Sequence, residues 1–453
     1  GTAAWIGSRV PETLRQQIQA ADEQTPRAAL SVARVDSGIF RSTARITAEP
    51  RAGDRSPVPD LDTPLAARIP VTIAHGPILL HDNATTGLAA VRGEARLTAE
   101  TREALENPDD ESKRWAMPGE GAFAELTGAI RFDGSFAGTV TTPDYTGPVV
   151  ENTRTGEAVK LAWSDFRADL HLPAGTSAVR KVDARVGQAA VEAPDEGGFA
   201  LEDVTALTEL RPGEHGLWYG EVSLSAGTAR LVGEAQDGEI VVADAALDYS
   251  LRDDGGDGLT WKATADAGGT EMRAPDGENR RLALDGASIE MALTSLAPSA
   301  FADLAELAQQ PGQPAPGEVR PLLRELVRGG PELEVTEISA TTPDGHVHIA
   351  GNAGFGEKPP KRLDPRRLRR ALRASVSARV DTALLTSLAE SSANSDRAAM
   401  RRKRQVQRVA AQLQRQGLIS EADGRLESEA SYREGRLRIN GERADRLLRG
   451  ILR

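Results

Sequence analysis

Histidine is the residue type here best suited to metal binding or acid–base work, and the chain has six. His75 and His81 bracket the stretch His-Gly-Pro-Ile-Leu-Leu-His, which Asp82 follows. Two imidazoles and that carboxylate are reasonable ligands for a transition metal. Their spacing matches no established metal signature. A turn shaped by Gly76 and Pro77, with His75 hydrogen-bonded locally, accounts for the same residues and is the preferred reading. His346 and His348 stand two apart, so on a strand they share one face. Val347 and Ile349 would then point inward and leave the pair in solvent, with no third ligand evident. His171 and His215 are isolated. No histidine is expected to be catalytic, and no metal or cofactor is expected.

Nucleophile patterns are missing too. There is no Gly-x-Ser-x-Gly elbow and no His-Glu-x-x-His. The phosphate-cradling Gly-x-x-x-x-Gly-Lys-Ser/Thr and the dinucleotide Gly-x-Gly-x-x-Gly are absent as well. Gly351-Asn-Ala-Gly-Phe-Gly356 is glycine-rich without that spacing. The 67 Asp and Glu residues make any one carboxylate pair uninformative. An enzyme is therefore not expected. A hydrolase built on a cryptic carboxylate or histidine site stays as a lesser alternative.

Arginine gives a stronger signal. Lys361 to Arg373 is densely cationic inside a chain whose net charge is −12, and Arg401-Arg-Lys-Arg404 opens a second cluster. Guanidinium groups bind phosphate through paired hydrogen bonds. Arg366, Arg367, Arg370 and Arg373 are thus the candidate binding residues, for an anionic lipid headgroup or an acidic partner. The plainer alternative is a solvated helix face that balances nearby acids. Nucleic acid is not expected as a partner, because the chain is acidic and its basic runs lack interleaved aromatics.

These residues need elements to hold them. Pro11 to Ala21 fits a short amphipathic helix, with Leu14 and Ile18 one turn apart. Leu30–Val35 and Ser42–Ile46 read as strands broken at Ser37-Gly38. From about 68 to 297 short extended runs follow one another. Asp-Gly pairs at 133, 237, 276 and 285 separate them, a hairpin signal because Gly takes the positive φ of primed turns. Trp218, Val222 and Leu224 share one face of such a run. Residues 50–66 read as a loop and 102–120 as a charged excursion with some helix.

Helices return at 299–309 and 320–327, the second stopped by Gly329-Gly330-Pro331. Hairpins are expected across Asp344-Gly345 and Glu434-Gly435. A helix starting at Asp364-Pro365 carries Leu368 and Leu372 one turn apart. A strand follows at 374–380, helices at 383–389 and 396–416, and a closing helix at 442–452. The fold class expected is α+β and β-rich: long antiparallel meander sheets with a few helices, most of them in the C-terminal third. Two regions are expected. Residues 1–298 form an N-terminal helix plus a β-rich meander, and 299–453 an α+β region.

Composition agrees with a folded, multi-lobed chain. Its 453 residues exceed what one core usually serves. Only 4% are aromatic, so Ala, Val, Leu and Ile must build the interior. No cysteine is present, which removes disulfides, thiolate catalysis and iron–sulfur ligation. No run of about 18 apolar residues occurs, the length a membrane-spanning helix needs. The opening Gly1-Thr-Ala-Ala-Trp-Ile-Gly7 reads as the outer end of a membrane helix, where Trp favours the interface. A tag scar or processed terminus is the alternative.

Four short patterns recur in a telling order. They are Ser37-Gly-Ile-Phe-Arg-Ser42, His75-Gly-Pro77, Leu247-Asp-Tyr-Ser-Leu251 and Tyr432-Arg-Glu-Gly-Arg-Leu-Arg-Ile-Asn-Gly441. In order and spacing they resemble the YdgA-like family, bacterial envelope proteins of unassigned molecular function, over nearly the whole chain. The resemblance implies one N-terminal inner-membrane helix and a large periplasmic body, and it implies no catalytic residues. The expected function is a non-catalytic periplasmic body that binds a lipid-like ligand or an envelope protein partner. The physical motive is the meander, whose apolar face must be covered. If helices cover only part, a trough remains for acyl chains or for a homodimer contact. A structural or assembly factor with no small-molecule ligand is the runner-up.

Overall fold

A computed structural model describes residues 12, 14–16, 18, 19, 22, 28–51, 66–75, 78, 79, 85–106, 113–115, 121–152, 157–174, 180–193, 197–233, 238–255, 258–273, 281–309, 316–355, 364–391 and 396–444. The fold is α+β and β-rich, with long antiparallel sheets and few helices. Two compact units divide it: Gly1–Arg211 with Ala226–Asp237, and Pro212–Ser225 with Gly238–Arg453. The boundary expected at 298/299 lies inside the second unit. Across it the strand Gly286–Leu296 pairs with Glu332–Thr342.

In the first unit, antiparallel neighbours run from Ala28–Asp36 through Arg41–Pro50, Ala67–His75, Ala89–Leu97, Ala124–Ile130 and Phe136–Thr141. They continue through Arg167–Leu172 and Lys181–Ala193 to Gly197–Pro212. Alternation puts Ala44, Ile46, Val71, Ile73 and Ala89 on one face, where they form a buried cluster. Leu14 and Ile18 pack against it, and the described residues around them are helical. The Asp133-Gly134 turn forms as expected. Gly134 takes φ +84, and Asp133 Oδ1 accepts the Ser135 amide at 2.9 Å.

In the second unit seven of the described strands form one antiparallel ladder, with shorter strands paired beside them. Neighbours run Glu239–Asp253, Leu259–Ala267, Gly286–Leu296, Glu332–Thr342, Gly345–Phe355, Leu372–Asp381 and Arg425–Arg433. Helices Pro298–Gln309 and Pro316–Gly329 follow the third strand, and the second ends with Gly330 at φ +71. Helices Thr382–Ser391 and Asp396–Arg415 follow the sixth. Hairpins turn at Asp344-Gly345 and at Glu434-Gly435, where both turn residues have positive φ.

Three expectations change. Asp285-Gly286 is not a hairpin: the strand before it pairs with Gly269–Arg273, while the strand after it pairs with Leu259–Ala267. The chain changes partners there instead of reversing. Leu372 does not extend the helix of Leu368; the helix Pro365–Ala371 stops and Leu372 opens a strand. Strand pairing across nine residues outweighs one more helical turn. Glu442–Arg443 begins no helix but pairs with Arg438–Ile439. The rest of that expected helix, the Gly1–Gly7 stretch, and most of the expected 50–66 loop lie outside the described residues, as do Asp276-Gly277 and His81.

Candidate functional site

The register of the second unit sorts its side chains into two contrasting faces. Paired residues share a face. One row across the strands reads Leu247, Ala265, Ile289, Ile338, Ile349 and Ala378. The next reads Tyr249, Ala263, Met291, Val335, Gly351, Val376 and Ala430. On the opposite face the row is Ser250, Lys262, Ala292, Glu334, Asn352, Ser375 and Ser431. Ion pairs and hydrogen bonds knit that polar face. Lys262 meets Glu290 at 2.5 Å, Arg379 meets Glu427 at 3.4 Å, and Ser375 donates to Asn352 at 3.0 Å.

A bulge makes the apolar face continuous. Val335 and Ile338 are three residues apart, an odd interval that regular alternation would place on opposite faces. The register shift between them returns both to one side. Val335 then pairs with Gly351 and Ile338 with Ile349.

Helices cover the apolar face unevenly. At one flank Phe301 and Leu326 pack on a cluster of Leu217, Tyr219, Leu251, Leu259 and Leu296. Trp261 and Leu293 join it, and Leu259 is 0% exposed. Tyr249 sits edge-on to Trp261 at 6.3 Å, and burial pushes its hydroxyl pKa up. At the other flank Leu384 of Thr382–Ser391 is buried. Between the flanks Ile289, Ile338 and Val376 remain 40%, 37% and 44% exposed. An apolar strip on one face of a sheet is thus left without cover from the described helices.

The candidate arginines stand apart from this strip. Arg367 and Arg370 lie exposed on the helix Pro365–Ala371, Arg367 within 3.9 Å of Asp364. Arg366 belongs to the same helix, but its side chain is outside the described set. Arg373 pairs with Gly354, one residue before Ala374, so it points to the polar face. Arg367 and Arg370 are brought together, and Arg373 is turned away from the apolar strip.

The second basic cluster is better placed. Arg401 to Arg404 lie on the helix Asp396–Arg415, whose Val406, Val409 and Leu413 form a stripe. With Ala378, Val380 and Leu385 they line a groove of about 620 Å³, with Arg402 at one end. Sequence singled out these four basic residues but not the stripe beside them. Spacing of Val406, Val409 and Leu413 at i, i+3 and i+7 was the available signal.

The histidines hold different stations. His75 is buried in the first unit, its amide donating to the Phe40 carbonyl at 2.8 Å. Among the described residues neither of its ring nitrogens has a hydrogen-bond partner, so the expected local bond is not found there. His346 and His348 lie on the polar face with ring centroids 6.4 Å apart, half-buried rather than fully solvated. His346 Nδ1 is 3.0 Å from Thr341 Oγ1, and its backbone amide donates to Asp381 Oδ2 at 2.9 Å. Asp381 also accepts from Arg425 at 3.0 Å. The His346 amide first, and Arg425 second, hold the Asp381 carboxyl below the usual carboxylate range. Among the described residues no three His, Asp or Glu side chains gather as a metal site. Among them, too, no helix is long and apolar enough to cross a membrane.

No curated protein and no solved structure matches the chain. One family profile does, over residues 1–445, and its description is a bacterial protein of unknown function. The chain with this two-faced sheet therefore belongs to the bacterial family DUF945.

Proposed function

We propose that this chain is the periplasmic body of an inner-membrane-anchored envelope protein, and that it binds an amphiphile of lipid type without catalysing a reaction on it. One observation carries the binding part: Ile289, Ile338 and Val376 keep 37–44% exposure in the middle of a continuous apolar sheet face. Covering such a face is favourable by roughly 25 cal/mol per Å². An acyl chain can lie along a strip of this kind. The YdgA-like resemblance within the family supports the compartment and the anchor.

Lipid extraction tests the binding directly. Protein purified from bacterial membranes should yield an acyl lipid in near-stoichiometric amount. Lipid-free protein that self-associates through the same strip would favour a protein interface, as in a homodimer or assembly factor. Fractionation tests the location. The full-length gene product should sit in the inner membrane, with this body reached by protease only after the outer membrane is opened. Recovery from the cytosolic fraction would contradict it.

A further inference from the structure

We infer that the groove beneath the helix Asp396–Arg415 is the seat of an anionic single-chain amphiphile, with its tail on Val380 and Val409 and its charged end at Arg402. This rests on the lipid-binding reading above and adds a charge preference at one end of the strip, where Ala378 continues the row of Ile338 and Ile349 into the groove.

The geometry starts with an incomplete contact. The helix turns Val406, Val409 and Leu413 toward Ala378 and Val380. A stripe of that kind normally interdigitates with the surface below it. Here Val409 stays 47% exposed and about 620 Å³ is open between helix and sheet. That volume falls within the ~300–1,000 Å³ typical of small-molecule sites. Leu385, from the preceding helix, walls the groove.

Charge supplies the polarity. The helix carries seven cationic residues against one acid, Asp396, within a chain of net charge −12. Arg402 and Gln405 line one end of the groove, and Arg402 lies about 16 Å along the helix from Leu413 at the other. Glu427 also borders the groove, and it is ion-paired with Arg379 at 3.4 Å. The combination is an apolar slot entered beside a cationic helix. A carboxylate or phosphate head fits that entrance, and a cationic head does not. Arg367, Arg370 and Arg373 take no part, since none of them lines the groove.

Dansyl-undecanoic acid is a suitable probe, titrated into the delipidated full chain and followed by its fluorescence. Saturable binding is expected. Val409→Glu should weaken it at least about tenfold, since it puts a second carboxylate where the tail lies. Because Val409 is half exposed, that variant should keep its circular dichroism. Arg402→Glu should weaken the acid about tenfold, the worth of one charge-assisted hydrogen bond, and leave the probe's methyl ester within about twofold. Ester binding thus reports the groove even if Val409→Glu unfolds. Binding that ignores both substitutions overturns the groove while leaving an amphiphile on the open strip. Equal loss of acid and ester in Arg402→Glu overturns the headgroup assignment. No saturable binding to the wild-type chain overturns the groove and the lipid reading together.

Discussion

Ile289 and Ile338 face each other across adjacent antiparallel strands, and each leaves more than a third of its surface in water, at 40% and 37%. A pair of β-branched residues in register is the ordinary material of a sheet core. Here it is the centre of a strip that the described helices leave uncovered. On the proposed lipid-binding function that exposure serves ligand binding, and a charge placed there should oppose it.

Ile338→Asp should reduce the acyl lipid recovered with the protein by about tenfold or more, because one buried Ile is worth about 1.5–3 kcal/mol. Its cost to folding should stay near or below about 1 kcal/mol, as the side chain is already half solvated. Lipid analysis and a urea midpoint on the same preparation check both. Unchanged lipid content would speak against the strip.

The covered flank should behave differently. Leu259 is 0% exposed and Leu296 1% exposed, so Leu→Ala at either site leaves a cavity. Each should cost about 2–5 kcal/mol. Chemical denaturation measures it. A loss below about 1 kcal/mol would mean that this cluster is not the core of the second unit.

Asp381 gives a pH signature. Its carboxyl is held low by the His346 amide and by Arg425, so the fold favours the charged form. That contribution is complete at neutral pH and is lost as pH falls through the lowered folded value. Asp381→Asn should therefore destabilise the protein at pH 7, with the gap to wild type narrowing as pH drops below the usual carboxylate range. A gap that stays constant on acidification would contradict the assignment.

Gly345 supports the same corner. Its φ is +146, and a Cβ there would stand 2.7 Å from Asp381 Cβ. Gly345→Ala should cost more than about 1 kcal/mol, through backbone strain and the displaced carboxylate together. Thermal unfolding with and without Asp381→Asn would show whether the two effects are coupled.

Replacing His75, His81, His346 and His348 together by Asn or Gln should leave the cellular role intact wherever the fold survives. Complementation alongside a melting curve measures this. Loss of the role at unchanged melting temperature would restore the hydrolase alternative.

Much of this architecture was legible from local chemistry. Alternation marked Leu333–Val335 and Ala374–Val380 as half-buried strands, and Glu434-Gly435 announced its turn through Gly. What escaped depends on pairing. The bulge that gathers Val335 and Ile338 on one face exists only against the neighbouring strands. The partner change at Asp285-Gly286 looks the same as a hairpin when read along the chain. The arginine cluster was visible, but its side of the sheet was not. Whether Arg373 or Ala374 faces the strip follows from a strand that opens at Leu372, where helical spacing had suggested one more turn. The groove escaped for a further reason: the stand-off between the helix Asp396–Arg415 and the sheet is a tertiary distance with no sequence period.

Native mass spectrometry of the freshly purified chain tests the central claim most directly, since one spectrum reports bound mass and oligomeric state together. The expected result is a monomer carrying an acyl-lipid adduct that is depleted in Ile338→Asp. A bare monomer, or the same adduct pattern in wild type and variant, would contradict it.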